Sequence, residues 1–365
     1  MRILHVLPAL GPGGMEKLVL QLTADAVANG DTVLVAAAHG SWSAEVTRAG
    51  GTHIVLPATS RRTSVASVAA TAVAVTRLAR CIRRVRPDVL HSHNVRAAVI
   101  ARLAIAMSRR RVVLMPTLHG VAPGDYAAAS RILRRTARRV IACAPAVAHA
   151  LRESGYPAGR IDVITNGAAL LPAGQQRQAE LRVSLGLGSA PLVLGIGRLA
   201  EQKDWPTFIA AASLLPGPQY AVAGDGPLRH DLSGLARRSG DQVLLLGVVD
   251  DVAALLGLAS CVVSTSRWEG MPLTILEALS LGAPVVATEV SGLAELVPAT
   301  AALLVPQGDE VAVSEAVRRI LSDRDLVARL RKSALSAAPG WAPQRMLQLY
   351  RAAYLAAWTG QAHWA

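Results

Sequence analysis

The sequence predicts an α/β protein built from two doubly wound parallel sheets. Short apolar runs alternate with helix-length segments along most of the chain, which is the pattern of parallel strands joined by crossover helices. One such series ends near Ile164 and a second starts after Gly188. A chain of 365 residues is also too long for one ordinary hydrophobic core, so each series is expected to form its own domain.

The first series contains six predicted strands and four predicted helices. The strands are Ile3–Leu7, Thr32–Ala37, His53–Leu56, Val89–His93, Val112–Leu118 and Arg139–Cys143. The helices are Glu16–Asn29, Val65–Val85, Arg96–Met107 and Ala127–Arg138. Because strands and helices alternate, these elements predict a Rossmann-like N-terminal domain over residues 1–165.

The second series predicts another domain of the same kind over residues 191–340. Its strands are Leu192–Gly197, Gln219–Ala223, Val243–Leu246, Cys261–Ser264, Val285–Ala287 and Ala302–Val305. Its helices are Trp205–Leu215, Gly226–Ser239, Val252–Ala259, Pro272–Leu281, Leu293–Val297 and Asp309–Asp323. The glycine-rich, polar stretch Asn166–Leu187 is expected to be the join, within a hinge over 166–190. Beyond Asp325 a helical pattern is interrupted near Pro339–Pro343, and a return of the last helix, 341–365, to the N-terminal domain is one option.

Composition indicates a packed soluble protein in a reducing compartment. Hydrophobic residues make up 52% of the chain and charged residues 17%, and the uncharged stretch from Thr63 to Thr76 is shorter than the roughly 20 apolar residues of a membrane span. Three scattered cysteines, without a Cys-x-x-Cys pair, exclude a disulfide framework or structural zinc site. We therefore expect a cytoplasmic protein, with a peripheral position on the membrane face as the alternative.

The basic charge is concentrated in the first half of the sequence. The net charge is +13, and up to Ile164 there are 22 Arg and Lys residues against 8 Asp and Glu. Such an excess fits an anionic membrane surface, a phosphorylated acceptor, or solvated helix faces that bind nothing. Nucleic acid is not expected as a partner, because no recognition motif or interleaved aromatic residue accompanies the charge.

The first glycine-rich turn, Gly11-Pro12-Gly13-Gly14-Met15-Glu16, follows the first predicted strand. Glycines allow backbone amides to approach a phosphate, and the next helix points its positive dipole end at the same place. A dinucleotide fingerprint would need a third glycine at Glu16 and an acidic residue after the second strand, which instead ends near His39. The turn is therefore either a phosphate contact or a structural turn, and NAD is not expected.

The second series carries charged residues just after its strands. Arg198 and Lys203 follow its first strand, and this pair of cations suits a diphosphate. Glu269 follows its fourth strand, and Pro272 is well placed as the first residue of a helix whose amides at Leu273 and Thr274 would be free to bind an anion. Glu277 lies about one turn further along this apolar helix. Its carboxylate needs a partner, for which a ribose diol and a structural ion pair are the alternatives.

These residues, taken in order, resemble glycosyltransferase family 4. Glu269 and Glu277 have the spacing of the Glu-x7-Glu motif of retaining glycosyltransferases. The other matching motifs are Gly13-Gly14-Met15-Glu16, Asp88-Val89-Leu90-His91-Ser92-His93, Leu118-His119-Gly120, Arg198 with Lys203, Gly224-Asp225-Gly226-Pro227-Leu228 and Gly282-Ala283-Pro284-Val285-Val286-Ala287-Thr288.

The resemblance implies a GT-B fold, with two Rossmann-like domains facing across a cleft, and a retaining transfer from a nucleotide-sugar, UDP-linked in preference to GDP-linked. It assigns the diphosphate to Arg198 and Lys203, the ribose to Glu277, and the donor sugar to Glu269 and His119. It also implies donor contacts from the backbone or side chains of Gly13, Gly14, Gly270, Met271, Pro272, Leu273 and Thr274. No cofactor or metal is expected, since no Asp-x-Asp motif follows a strand and Asp250-Asp251 is better explained as a helix cap.

Several alternatives stay open at this stage. On the same architecture the chain could be a sugar-nucleotide epimerase or a non-catalytic sugar-nucleotide-binding protein. The acceptor could be a glycan or lipid-linked glycan, or a small natural-product aglycone. Asn166-Gly167 is followed by Ala168-Ala169, where family members often have an acidic residue. His5, His39, His91 and His93 are either structural or line an acceptor pocket, and His91 and His93 are expected to share one strand face.

Overall fold

The computed structural model describes residues 1–58, 65–168, 172–240, 242–290 and 292–360, without the side chains of Val65 and Ala294. The chain divides into two compact units. Unit 1 comprises Met1–Asn166 and Gln344–Ala365, and unit 2 comprises Gly167–Pro343. Ala169, which follows Asn166-Gly167-Ala168 in the expected hinge, lies outside the described ranges, as do the first residues of the uncharged Thr63–Thr76 stretch.

Unit 1 is a parallel seven-stranded sheet with helices on both faces. The sheet order is β3-β2-β1-β4-β5-β6-β7. The strands are β1 (Arg2–Ala9), β2 (Thr32–Ala38), β3 (Thr52–Val55), β4 (Val89–Ser92), β5 (Val113–Leu118), β6 (Val140–Ala142) and β7 (Ile161–Val163). The helices are α1 (Gly14–Ala28), α2 (Ser43–Arg48), α3 (Val65–Val85), α4 (Val95–Ser108), α5 (Tyr126–Thr136), α6 (Pro145–Glu153) and, from the end of the chain, α15 (Pro343–Trp358).

Unit 2 is a parallel six-stranded sheet of order β10-β9-β8-β11-β12-β13. Its strands are β8 (Leu192–Ile196), β9 (Gln219–Ala223), β10 (Val243–Gly247), β11 (Cys261–Ser264), β12 (Val285–Thr288) and β13 (Leu303–Val305). Its helices are α7 (Gln175–Ser184), α8 (Trp205–Leu214), α9 (Arg229–Arg238), α10 (Val252–Leu258), α11 (Leu273–Ser280), α12 (Leu293–Leu296), α13 (Glu310–Ser322) and α14 (Arg324–Ala337).

Both sheets reverse their strand order at one point, between β1 and β4 in unit 1 and between β8 and β11 in unit 2. This is the doubly wound arrangement expected from the sequence, and ligands of such folds bind beyond the carboxyl ends of the strands at the reversal. The two places to examine for function are therefore the loops after β1 and β4, and the loops after β8 and β11.

Alternating side chains of β1 serve both faces of the first sheet. Leu4 and Val6 pack with α3 and α4, whereas Ile3 and Leu7 belong to the core that includes α1 and α15. His5 has the same parity as Ile3, so it lies on the α15 side. The C-terminal helix is thus part of the core of unit 1. An ion pair of 2.9 Å between Arg351 and Asp31 also attaches it there.

Four elements were not predicted. Helix α2 and helix α6 fall in stretches left unassigned, and β7 is a three-residue edge strand. The expected join Asn166–Leu187 contains helix α7, which has no buried residue. Its sequence, Gln-Gln-Arg-Gln-Ala-Glu-Leu-Arg, has good helix propensity but lacks the apolar period by which helices are recognised.

Asp251 is the N-cap of α10, accepting a 3.0 Å hydrogen bond from the amide of Ala254, as its position in the sequence predicted. None of the helices in the part of the chain that the structure describes has both the length and the apolarity of a bilayer crossing.

Candidate functional site

A partly buried ion pair occupies the strand-order reversal of unit 2. Lys203 follows β8 and Glu269 follows β11, and Lys203 Nζ lies 2.5 Å from Glu269 Oε1. Their side chains are only 19% and 8% exposed. The hydroxyl of Ser266 donates a second hydrogen bond of 2.7 Å to the same carboxylate oxygen. Two residues that the sequence analysis gave separate roles are therefore direct partners in this structure.

The loops that carry this pair are held together by further hydrogen bonds. The side-chain amide of Gln202 donates to the carbonyl of Trp268 at 2.8 Å and to Glu269 Oε2 at 3.3 Å. In the other direction, the backbone amide of Arg267 donates to the carbonyl of Gln202 at 2.8 Å. The hydroxyl of Thr265 donates to the carbonyl of Lys203 at 2.9 Å. As a result, the positions of the ammonium and the carboxylate are fixed by the backbone on both sides.

Asp204, directly after Lys203, was missed by sequence reasoning. Its φ of 47° lies in the left-handed region, where glycine and asparagine are favoured. Its buried carboxylate accepts hydrogen bonds from Thr207 Oγ1 at 2.9 Å and from Arg267 at 3.1 Å. These contacts stabilise a conformation that bends the chain from the Lys203 turn into α8. An Asp immediately before a helix beginning Trp-Pro is the sequence signal that could have indicated this.

Arg198 lies in the loop after β8, at the same sheet edge as Lys203. Its side chain is exposed and forms no ion pair with any described residue, while its carbonyl accepts a 2.9 Å hydrogen bond from Trp205 Nε1. The Gly224-Asp225-Gly226 motif supports this loop from below. Gly224 has φ +142°, and a Cβ there would collide with the carbonyl oxygen of Gly197. The motif therefore lets the β9 loop approach the backbone that carries Arg198.

Helix α11 begins beside the ion pair, with a difference from the expectation. Pro272 is the N-cap residue rather than the first helical one, and its φ of −79° and ψ of 69° form an inverse γ-turn. The amide of Leu273 consequently donates to the carbonyl of Met271 at 2.9 Å, so the prediction that it is free was wrong. The amide of Thr274 has no acceptor among the described residues. Gly270 and Met271 are buried, and so is Glu277, one turn into the helix.

The loops that follow β8 and β11, together with the start of α11, enclose a small recess. It is lined by Lys203, Glu269, Pro272, Thr274 and Ile275, together with Ile196 and residues 262–264. An ammonium, a carboxylate and the start of a helix meet in it. This combination can bind a polar ligand that carries both hydroxyl groups and an anion.

Unit 1 contains the remaining predicted residues, at the carboxyl edge of its own sheet. Gly13 is the N-cap of α1 and Gly14 its first residue. The carboxylate of Glu16 lies against Gly13, where a Cβ would collide with it. His119 follows β5 and is partly exposed.

His119 ends a cluster of four histidines in unit 1. His5, His91 and His93 are fully buried, and His93 Nδ1 lies 3.4 Å from His119 Nε2. Burial lowers the pKa of His119 to about 4 and that of His5 to about 3, and it also holds the pKa values of His91 and His93 well below their usual range. All four rings are therefore neutral at pH 7. As predicted, His91 and His93 share one face, with ring centroids 4.0 Å apart, whereas His39 is exposed.

Comparison with known proteins supports the resemblance to family 4 glycosyltransferases. Residues 12–170 match the model of Glycosyltransferase Family 4, and residues 190–323 match that of Glycosyl transferases group 1. The chain therefore resembles the family 4 glycosyltransferases over both matched segments. Its two parallel-sheet units have the GT-B fold, as the sequence predicted, and Lys203 and Glu269 lie within the second match.

Individual relatives agree with this assignment. Alpha-D-kanosaminyltransferase of Streptomyces kanamyceticus is 35% identical over 169 residues, 44% of each chain. The 2-deoxystreptamine N-acetyl-D-glucosaminyltransferase of Streptomyces fradiae is 31% identical over 261 residues, covering 66% of this chain and 61% of the relative. These matches thus span less than two thirds of either relative. The crystal structure of Anabaena HepE with UDP-glucose superposes with a TM-score of 0.85 at 22% identity, over 98% of this chain and all of that one.

Proposed function

We propose that this protein is a glycosyltransferase that transfers a sugar from a UDP-sugar to a hydroxyl group of an acceptor. The observation that carries the proposal is the Lys203–Glu269 pair at the strand-order reversal of unit 2, beside the start of α11. The UDP-glucose bound by HepE supports uridine as the base. GDP-sugars share the same phosphate and ribose chemistry and belong in the same screen.

The chemistry asked of unit 2 is stabilisation of a leaving diphosphate. Breaking the anomeric bond places negative charge on the nucleotide, and preorganised cations and helix amides stabilise such charge without reorganisation. Arg198 and Lys203 are proposed to bind the diphosphate, and Glu277 the ribose. Glu269, with the backbone of Gly270 and Met271, is proposed to bind the donor sugar. Arg198 is exposed and can bind the diphosphate directly, whereas the ammonium of Lys203 would contact the diphosphate and Glu269 together.

His119, Gly13 and Gly14 keep the donor contacts that the family resemblance gives them, as proposals. So do Pro272, Leu273 and Thr274, although Leu273 can contribute only its side chain or a rearranged turn.

We further propose that the reaction needs no metal and retains the configuration of the anomeric carbon. The cationic groups beside the recess can neutralise the leaving group by themselves. Two measurements test these points: turnover should persist after exhaustive treatment with EDTA, and NMR of the first-formed product should show the anomeric configuration of the donor. Loss of turnover on chelation that Mg²⁺ or Mn²⁺ restores would contradict the first point, and an inverted product the second.

For the acceptor, we propose a lipid-linked glycan presented at an anionic membrane surface. Helices α3, α4 and α5 pack side by side and expose apolar side chains among arginines. The apolar residues are Val68, Val73, Leu103, Met107 and Ile132, and the exposed arginines of these helices include Arg77, Arg80, Arg83, Arg84, Arg102, Arg131, Arg134 and Arg135. Basic residues interleaved with apolar ones favour an interfacial position on anionic lipid.

Vesicle co-sedimentation distinguishes the acceptor classes. Binding to phosphatidylglycerol vesicles that weakens with salt, and no binding to phosphatidylcholine vesicles, is expected. Absence of binding to both, together with transfer to a soluble aminocyclitol such as that named for the Streptomyces fradiae relative, would favour the small-aglycone alternative.

The central test compares Glu269→Gln with Glu315→Gln, an exposed carboxamide substitution on α13 of the same unit. Release of UDP from UDP-sugars in the presence of acceptor should fall roughly a hundredfold in the first variant and stay unchanged in the second. Both variants should keep the melting temperature of the parent within a few degrees. Equal turnover in the two would refute the proposal. Conversion of the sugar without any acceptor would indicate an epimerase, and UDP-dependent thermal stabilisation without turnover would indicate a binding protein.

A further inference from the structure

The histidine cluster of unit 1 contains a line of hydrogen-bonded rings that ends at the protein surface. His5 Nδ1 lies 2.9 Å from His93 Nε2, and His93 Nδ1 lies 3.4 Å from His119 Nε2. The line starts at His5 Nε2, which is buried and has no hydrogen-bond partner among the residues that the structure describes. It ends at His119 Nδ1, which has no partner among the described residues and belongs to the only one of the three rings that is partly exposed.

His91 lies beside this line but is bonded elsewhere. Its Nδ1 is 2.7 Å from the hydroxyl of Tyr354, and its Nε2 is 2.7 Å from Thr117 Oγ1. The ring nitrogens of His5, His91 and His93 come within 4.8 Å of one another, a spacing that could also hold a metal ion. However, both nitrogens of His91 already have neutral partners, and His5 and His93 share a hydrogen bond. The contacts therefore describe a hydrogen-bonded cluster.

Neutral imidazoles joined in such a line must all carry their proton on the same ring nitrogen. Each ring has one N–H and one bare nitrogen, so each link needs a donor on one side and an acceptor on the other. Only two arrangements satisfy both links. In the first, all three rings carry the proton on Nδ1, and His5 Nε2 is bare. In the second, all three carry it on Nε2, and His5 then buries an N–H without an acceptor.

The first arrangement is favoured, because buried N–H groups without an acceptor are the rarer defect in proteins. The two arrangements also do not interconvert readily, because interconversion requires a proton to enter or leave at the buried His5 Nε2. His119 would then present an N–H at Nδ1 to solvent or substrate.

We propose that His5 and His93 are positioning residues that hold His119 as a neutral hydrogen-bond donor through Nδ1. The proposal rests on the proposed function only in that His119 contacts substrate. His119 then donates to a substrate oxygen that accepts, such as a hydroxyl, ring or phosphate oxygen, and does not act as the general base. A neighbour that fixes the tautomer of a functional histidine is a common way of orienting such a ring.

The tautomer can be measured without turnover. Long-range ¹H–¹⁵N correlation spectra of histidine-labelled protein distinguish an Nδ1–H from an Nε2–H ring. We expect the Nδ1–H form for His119 in the native protein, a changed or mixed form in His5→Phe, and restoration in His5→Asn, whose amide can donate from nearly the same position. His53, half-buried and bonded to the carbonyl of Ala37, should be unaffected throughout and serves as an internal control.

Kinetics tests whether the effect reaches the reaction. In His5→Phe, kcat should fall about tenfold, the size expected for losing one hydrogen bond. The same substitution in a His119→Ala background should cost less than twofold, because its effect passes through His119.

Three results would overturn the proposal: an Nε2–H form of His119 in the native protein, a tautomer indifferent to His5→Phe, or one tightly bound metal ion per chain by elemental analysis. An undiminished kcat loss in the His119→Ala background would reduce His5 to a structural residue. If no sugar donor is turned over at all, the proposed function fails, while the spectra still decide the tautomer.

Discussion

Acidification should destabilise unit 1 through its buried histidines, and His5 shows by how much. Burial lowers the pKa of His5 from 6.5 to about 3 in the folded chain. Between these values the unfolded chain binds a proton that the native chain does not, so the free energy of unfolding decreases as the pH falls below 6.5. A pH of 5 lies 1.5 units below the pKa of 6.5 that His5 has in the unfolded chain. Protonation of His5 alone therefore stabilises the unfolded chain by about 2 kcal/mol at this pH.

Native-state hydrogen exchange of the β1 and β4 amides is the suitable assay, because it reports the opening of unit 1 separately from unit 2. Exchange is measured at pH 7.5 and at pH 5 and corrected for its intrinsic pH dependence. His5→Phe should lose about 2 kcal/mol less than the native chain between these two pH values, whatever its stability at pH 7.5. His149→Gln, which removes an exposed histidine of α6, should behave like the native chain. Equal losses in all three proteins would show that His5 takes up a proton in the folded state and would refute the reasoning.

Three further predictions concern the loops of unit 2. Lys203→Met leaves the carboxylate of Glu269 without its ion pair, so the Kd for UDP by calorimetry should rise about tenfold or more, and an unchanged Kd would exclude Lys203 from the diphosphate site. Asp204→Val places a β-branched residue at φ 47° and should destabilise the chain by about 1–2 kcal/mol in thermal unfolding, more than Asp204→Asn does, and the reverse order would contradict the strain argument. Gly224→Ala should abolish UDP binding, because its Cβ would displace the carbonyl of Gly197 and with it the loop that carries the cations. Binding at the native Kd would show that this loop can relax.

The sequence was informative wherever local patterns determine structure. Apolar runs of three to seven residues indicated twelve of the thirteen strands in the described part of the chain, since a strand buried on both faces has few polar residues. The edge strand β7 and the exposed helix α7 were missed, because neither buries enough apolar surface to leave a periodic pattern. Of the residues that the Arg198–Lys203 and Glu269–Glu277 motifs indicated, Lys203 and Glu269 are in direct contact at the edge of the second sheet.

The direct contact between Lys203 and Glu269 at that edge could not be predicted from the sequence. Nothing in the spacing of Lys203 and Glu269 shows that the two bond directly, because the contact depends on β8 and β11 being neighbours in the sheet. The turn at Pro272 that occupies the amide of Leu273 depends on a ψ angle that proline does not determine. Likewise, His5 meets His93 only because β1 lies beside β4 in the register that pairs His5 with His91.

The helix α15 has a consequence for synthesis on the ribosome. Tyr350 and Tyr354 complete the core of unit 1, yet they are translated after all of unit 2. Domains generally fold as they emerge, starting from the N-terminus. Here the sheet face around His5 and His91 stays uncovered until α15 has been synthesised. Unit 2 is continuous in sequence, so we expect it to complete its core before unit 1 does.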